Sequence, residues 1–103
     1  MNSRIQVFDS NGKYVSKWSV PEWGKAVGFE DLAIDSQAGR LYASSAHMSV
    51  ILVFDLQGNR LETVTPTPPD KLDGPSALAL AKDKLFVLHT ASARVSAIVL
   101  QNR

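Results

Sequence analysis

The feature that most constrains the fold of this chain is an internal repeat, with a period of about 44–46 residues. The segment Ile5-Gln6-Val7-Phe8-Asp9, with a glycine at position 12, returns as Ile51-Leu52-Val53-Phe54-Asp55 with a glycine at position 58. A weaker third copy spans residues 94–102. Between these copies, residues 32–35 match 78–81, and residues 41–43 match 85–87. Such a period indicates a repeat architecture, in which each unit packs on its neighbours.

Each period holds short apolar runs separated by turn residues, a pattern typical of β-strands. The predicted strands are residues 5–8, 14–18, 32–34, 41–44, 50–54, 61–64, 77–80, 85–88 and 95–100. The turns at residues 10–13 and 56–59 contain the glycines that tight hairpins need. Apolar residues do not recur at helical spacing over ten or more positions, although residues 21–27 are compatible with a short turn. The predicted fold class is therefore all-β, with antiparallel units of four strands.

Composition narrows the classes of function. At 103 residues, with 45% apolar and 20% charged side chains, the chain is predicted to form one small globular domain. The net charge of +1 supplies no general attraction to nucleic acid or an acidic membrane. Without cysteine there is no disulfide and no thiolate. No apolar run approaches the roughly 18–20 residues of a membrane span, so we expect a soluble chain. The sequence does not indicate its cellular compartment.

The repeat resembles the NHL repeat, whose consensus runs through Gly-Ile-Ala-Val-Asp, Leu-Tyr-Val-Ala-Asp and Asn-Arg-Ile-Gln-Val-Phe-Asp strands. Residues 3–9 with Gly12 are close to the third of these strands, and residues 32–35 and 39–43 are close to the first two. The resemblance covers nearly the whole chain. Departures from the consensus fall at four places: Ser45 and His89 replace an aspartate, Val50 replaces the arginine kept at Arg4 and Arg94, and Val99 replaces the aspartate kept at Asp9 and Asp55.

The resemblance implies an incomplete β-propeller of about 2.25 blades per chain. Residues 1–28 would form the last two strands of one blade, residues 29–74 one complete blade, and residues 75–103 the first three strands of a further blade. In the family, the first strand of a blade lines the channel and the fourth is outermost. Four residues take positions that join neighbouring blades in the family: Arg4, Asp9, Asp55 and Arg94.

Family propellers usually close with six blades, so one copy of this chain cannot close a ring. Two blades also cannot bury apolar residues on both faces of every strand. We therefore expect a homo-oligomer, with a trimer making six blades as the first guess, or docking on a protein partner. Residues 94–103 repeat the role of residues 4–13, which favours a swapped or open arrangement. The proline-rich residues 65–70 are predicted to form an extended surface loop.

Few residues suggest chemistry. Glu30 and Asp31 are adjacent, and neighbours on a strand point to opposite faces, so we interpret them as solvated loop residues and not as a converging metal or acid/base pair. The two histidines, His47 and His89, have no ligand cluster at metal spacing. Ser44-Ser45 lacks the Gly-x-Ser-x-Gly elbow of a serine nucleophile. The sequence therefore predicts no catalytic, metal or cofactor-binding residue.

One basic and aromatic grouping forms a candidate interaction surface. Its members are Lys13, Lys17, Lys25, Trp18 and Trp23. Exposed tryptophans would stack on RNA bases, but solvated lysines beside packed tryptophans are the favoured interpretation, so nucleic acid is disfavoured as a partner. The leading hypothesis is a non-enzymatic protein-interaction or scaffold module of NHL type. Two alternatives stay open: a part of a metal-dependent propeller enzyme of lactonase or lyase type, and an RNA-binding NHL segment.

Overall fold

The computed structural model describes residues 3–24, 30–66 and 71–100 of the chain, so residues 67–70 of the proline-rich link lie outside the described residues. Within these ranges there are nine strands and one short 3-10 helix. The strands are β1 (Arg4–Phe8), β2 (Tyr14–Ser19), β3 (Glu30–Asp35), β4 (Arg40–Ser45), β5 (Val50–Phe54), β6 (Arg60–Thr63), β7 (Pro75–Ala81), β8 (Lys84–His89) and β9 (Arg94–Val99), and the 3-10 helix spans Pro21–Trp23. The predicted all-β fold class is confirmed, with strands in the predicted places.

The strands form three antiparallel sheets, in which neighbours in sequence are neighbours in space. Sheet A has the order β1-β2, sheet B the order β3-β4-β5-β6, and sheet C the order β7-β8-β9. Every connection inside a sheet is a hairpin, because no strand crosses over another. The sheets therefore contain two, four and three strands of one repeating pattern.

The repeat extends to the geometry of the hairpins. In the β1–β2 hairpin, Asp9 Oδ1 accepts hydrogen bonds from the N–H groups of Asn11 and Lys13, both at 2.9 Å. Asp55 Oδ1 accepts the corresponding pair in the β5–β6 hairpin, also at 2.9 Å. Both hairpins shift register before the phenylalanine that ends their first strand. An aspartate that caps its own turn in this way fixes the loop conformation and with it the strand register.

One apolar core lies between sheet A and sheet B. Its buried members are Ile5, Val20, Leu41, Ala43, Leu52 and Phe54, with Trp18, Trp23 and Val50 packed against them. The rings of Trp18 and Phe54 are 5.8 Å apart, so aromatic packing contributes to this contact between sheets.

A second core lies between sheet B and sheet C, on the opposite face of β4 and β5. Its buried members are Tyr42, Ile51, Val53, Leu85 and Val87. Since side chains alternate between the faces of a sheet, β4 and β5 are apolar on both faces and are buried almost throughout. Sheet B is thus the middle layer of a three-sheet stack.

The contact between Trp18 and the β5–β6 turn offers a matched pair of substitutions. Gly12 and Gly58 both have positive φ, but a Cβ at Gly58 would lie 2.7 Å from the Trp18 ring, whereas a Cβ at Gly12 would meet nothing within 4 Å. We expect Gly12→Ala to lower the free energy of unfolding by about 1 kcal/mol through backbone strain alone. Gly58→Ala should cost roughly 1–3 kcal/mol more, because the Trp18 ring must move. Urea unfolding of both variants measures the difference, and equal losses would contradict the packing of sheet A on sheet B.

Candidate interaction surface

The outer face of sheet C exposes four large apolar side chains. Phe86, Leu88, Val95 and Val99 point away from sheet B, and their exposed fractions are 38%, 42%, 67% and 55%. Strand pairing places Leu88 opposite Val95 and Phe86 opposite Ala97, so these side chains are contiguous, whereas Val99 lies opposite Lys84 at one end of the face. Clustered exposed apolar side chains are a feature of binding faces.

The corresponding end of the stack at sheet A is mixed in character. Gln6 and Lys17 pair across the two strands in the middle of its outer face, and both are exposed. Phe8 and Tyr14 pack edge to face with ring centroids 6.2 Å apart. A partner on this face would have to desolvate an amide and an ammonium group, which is costly without hydrogen-bond partners. The two ends of the stack are therefore chemically different.

Asp31 joins two adjacent sheets. Its Oδ2 accepts a hydrogen bond of 2.9 Å from the backbone N–H of Leu78 in β7 of sheet C. Its own N–H donates to Ser44 Oγ in β4 at 3.0 Å, and its Oδ1 accepts from Leu32 N–H at 2.9 Å. One carboxylate thus links β3, the first strand of sheet B, to β7, the first strand of sheet C. Asp31 is consequently a joint between sheets rather than a solvated loop residue.

A buried polar cluster ties sheet C to the segment that enters it. His89 is fully buried, and its Nδ1 accepts a hydrogen bond of 3.0 Å from the backbone N–H of Asp73. The proton of a neutral ring therefore lies on Nε2, which faces Ser96 Oγ at 2.9 Å. Arg94 also donates to Ser96 Oγ, at 2.8 Å, and to the carbonyl oxygen of Lys71, at 2.6 Å. His89 is a satisfied structural histidine in this geometry.

The 3-10 helix ties sheet A to sheet B. Glu22 forms a two-pronged ion pair with Arg60 of β6, with both N···O distances at 2.6 Å. Hydrogen bonding to the Arg60 guanidinium lowers the pKa of Glu22 and raises that of Arg60. Trp23 Nε1 donates to the carbonyl oxygen of Ser44 at 2.8 Å, and Ser45 Oγ donates to the carbonyl oxygen of Glu22 at 3.2 Å. Ser44 and Ser45 therefore have structural hydrogen bonds.

The residues of the candidate basic and aromatic surface do not share one environment. Trp18 and Trp23 pack against the core between sheets A and B, so neither ring is an open stacking platform. Trp18 Nε1 is buried and has no hydrogen-bond partner within the described part of the chain. Lys13 and Lys17 are exposed. Lys25 lies outside the described residues.

The four residues that the resemblance assigns to blade joining make different contacts. Asp9 and Asp55 are hydrogen bonded within their own hairpins, and the side-chain hydrogen bond from Asn59 lowers the pKa of Asp55. Arg94 reaches the connection between sheets B and C at Lys71. Arg4 lies in β1 opposite Ser19. The blade-joining role of these four residues stays a prediction.

In the described ranges, no group of three or more histidine, aspartate or glutamate side chains is placed to hold a metal ion. His47 lies exposed in the turn between β4 and β5, and Glu30 begins β3. None of the described segments forms a helix long and apolar enough to cross a membrane.

Comparison of this chain with protein-family models, with curated proteins and with solved structures found no match.

The Asp31 joint predicts a measurable loss of stability. We expect Asp31→Ala to lower the free energy of unfolding by about 1–2 kcal/mol, because the N–H of Leu78 loses its acceptor. Asp83→Ala, in the exposed turn between β7 and β8, is the control and should change stability by less than about 0.5 kcal/mol. Urea unfolding measures both variants, and similar values for the two would contradict the joint.

The Glu22–Arg60 pair predicts a pH-dependent contribution to stability. The folded state lowers the pKa of Glu22 below its ordinary value of 4.5, so the pair stabilises fully above that pH and is lost as the pH falls through the folded-state pKa. Because both side chains are partly exposed, Glu22→Gln should cost only about 0.5–1 kcal/mol at pH 7. The difference from the parent should shrink toward pH 2 in urea unfolding, and a constant difference would contradict the assignment.

Proposed function

We propose that this chain is a non-enzymatic protein-interaction or scaffold module of NHL-repeat type, whose sheets are propeller blades that complete their stack on another chain. The exposed apolar face of sheet C carries this proposal. Sheets A and C each cover one face of sheet B, so a repeat sheet with an apolar outer face has the surface that another sheet covers. Self-association or docking on a partner chain would supply that cover.

Burial of the open face is the driving force for association. Phe86, Leu88, Val95 and Val99 are each between 38% and 67% exposed, and each side chain contributes roughly 1–2 kcal/mol when a partner removes it from water. Part of that gain is used to offset the loss of translational and rotational freedom on association. The packed tryptophans favour protein over RNA as the partner, since aromatic stacking on bases needs an accessible ring face.

Substitution of the open face tests the proposal. We expect the parent to exceed its chain mass of 11.2 kDa in light scattering, with the double variant Phe86→Lys and Leu88→Lys shifted to monomer at the same concentration. Met48→Lys is the control, because Met48 is 54% exposed in the β4–β5 turn and should not alter assembly. A parent that is a monodisperse monomer with cooperative unfolding at all concentrations would contradict the proposal, because the open face would then be stable in water.

A further inference from the structure

The outer edge of β9 has unpaired backbone groups in a defined register. β9 is the last strand of sheet C in the described part of the chain. The N–H of Leu100 donates to the carbonyl oxygen of Asp83 at 2.7 Å, so Leu100 bonds toward the β8 side. Because antiparallel strands alternate their bonding direction, Val95, Ala97 and Val99 direct their N–H and C=O groups away from β8. These three residues form an open edge.

Sheet B shows what occupies the equivalent edge. There the N–H of Val64 donates to the carbonyl oxygen of Ile51 at 2.9 Å, and Glu62 pairs with Val53. Ile51 and Val53 are the repeat equivalents of Val95 and Ala97, 44 positions earlier. β6 therefore satisfies on β5 the backbone groups that β9 leaves open.

A cleft beside this edge has room for the side chains of an added strand. Its volume is about 250 Å³, and it lies between sheet B and the end of β9. Its lining is mixed and combines the apolar residues Tyr42, Val53, Val64, Ile98, Val99 and Leu100 with Arg40, Glu62, Thr63 and Thr65. In sheet B the side chain of Thr63 shares a face with Leu52, on the side of sheet A. An added strand on β9 would likewise direct alternate side chains toward sheet B and into the cleft.

The edge of β9 also lacks the charges that protect other edges. β2 and β6, the outermost strands of sheets A and B, contain Lys17 and the pair Arg60 and Glu62 respectively. β9 has no charged residue after Arg94 and no proline. Exposed edges are usually blunted by charge or proline, because they otherwise pair with another chain. The edge of β9 is thus open to pairing.

We propose that the free edge of β9 and its cleft bind an extended strand of a partner protein, which adds antiparallel to β9 as the fourth strand of sheet C. The bound segment has threonine or another β-branched residue at the positions that face the cleft, as Thr63 is at the equivalent position of β6. Main-chain hydrogen bonds give affinity, and the cleft selects alternate side chains. The inference rests on the proposed function, because both assign the chain to protein binding, but it uses the edge of sheet C rather than its face.

A labelled peptide that copies residues 59–66 serves as the probe, because it contains β6. The N–H groups of Glu62 in β6 and of Val64 just after it point to β5, whereas that of Thr63 between them points away. We expect the peptide to bind the parent in fluorescence anisotropy. N-methylation at Glu62 and Val64 should weaken binding at least tenfold, while N-methylation at Thr63 should leave it nearly unchanged.

Ala97→Pro tests the same edge by a change in the protein instead of in the peptide. Proline removes the N–H that Ala97 directs to the open edge, and edge strands tolerate proline. This variant should lose peptide binding at least tenfold, whereas Thr63→Pro, a matched change at the outer edge of sheet B, should retain it. Circular dichroism and urea unfolding check that both variants fold. If Ala97→Pro does not fold, the methylated peptides still test whether the edge binds a strand.

Three outcomes would overturn the inference: no binding of the unmodified peptide, equal affinity for the two methylated peptides, or full binding by folded Ala97→Pro. Self-association that Ala97→Pro abolishes, without peptide binding, would assign the edge to a second copy instead and also overturn it. Failure of the edge is distinguishable from failure of the proposed function, because the Phe86→Lys and Leu88→Lys variant reports on assembly through the face and leaves β9 unchanged.

Discussion

The two-sided burial of β4 and β5 is the constraint on which the rest of this structure depends. A strand that is apolar on one face needs one covering layer, but Leu41 and Tyr42 point to opposite faces and are both buried, so sheet B needs two. Two coverings turn three sheets into a stack. A stack has end faces, and each end must be polar, be covered by another chain or remain an exposed apolar surface. The outer faces of sheets A and C are therefore the surfaces at which a partner would bind.

Polar contacts determine how the sheets are oriented on one another. Apolar packing is not directional and would tolerate sliding of one sheet over the next. Asp31 bonds the backbone of sheet C directly, while the 3-10 helix holds Arg60 through Glu22 and the carbonyl of Ser44 through Trp23. Each contact fixes a position along the strands that hydrophobic burial alone leaves free. The charged and aromatic side chains of Asp31, Glu22, Arg60 and Trp23 thus align the sheets.

The sequence allowed prediction of the local structure but not of the contacts between sheets. Apolar runs and turn glycines located the strands because hairpins depend on neighbouring residues. Asp31 was interpreted as a solvated loop residue, since its partner Leu78 lies 47 positions away. Glu22 and Arg60 are 38 positions apart. Nothing in the spacing identifies such pairs. The sequence does show that His89 replaces the consensus aspartate. That replacement is a signal that the hydrogen-bond network at this position differs from the consensus.

The face and the edge of sheet C offer a partner two different kinds of interaction. The apolar face contributes free energy in proportion to the area buried, with little preference for the partner's sequence or alignment. The edge of β9 contributes hydrogen bonds in one register, because a shift of one residue would turn the added side chains away from the cleft. In the two proposals, Phe86, Leu88, Val95 and Val99 would supply apolar burial, and the backbone of β9 at Ala97 would supply both hydrogen bonds and alignment. A partner that provided both a covering sheet and a fourth strand would be bound in a single orientation.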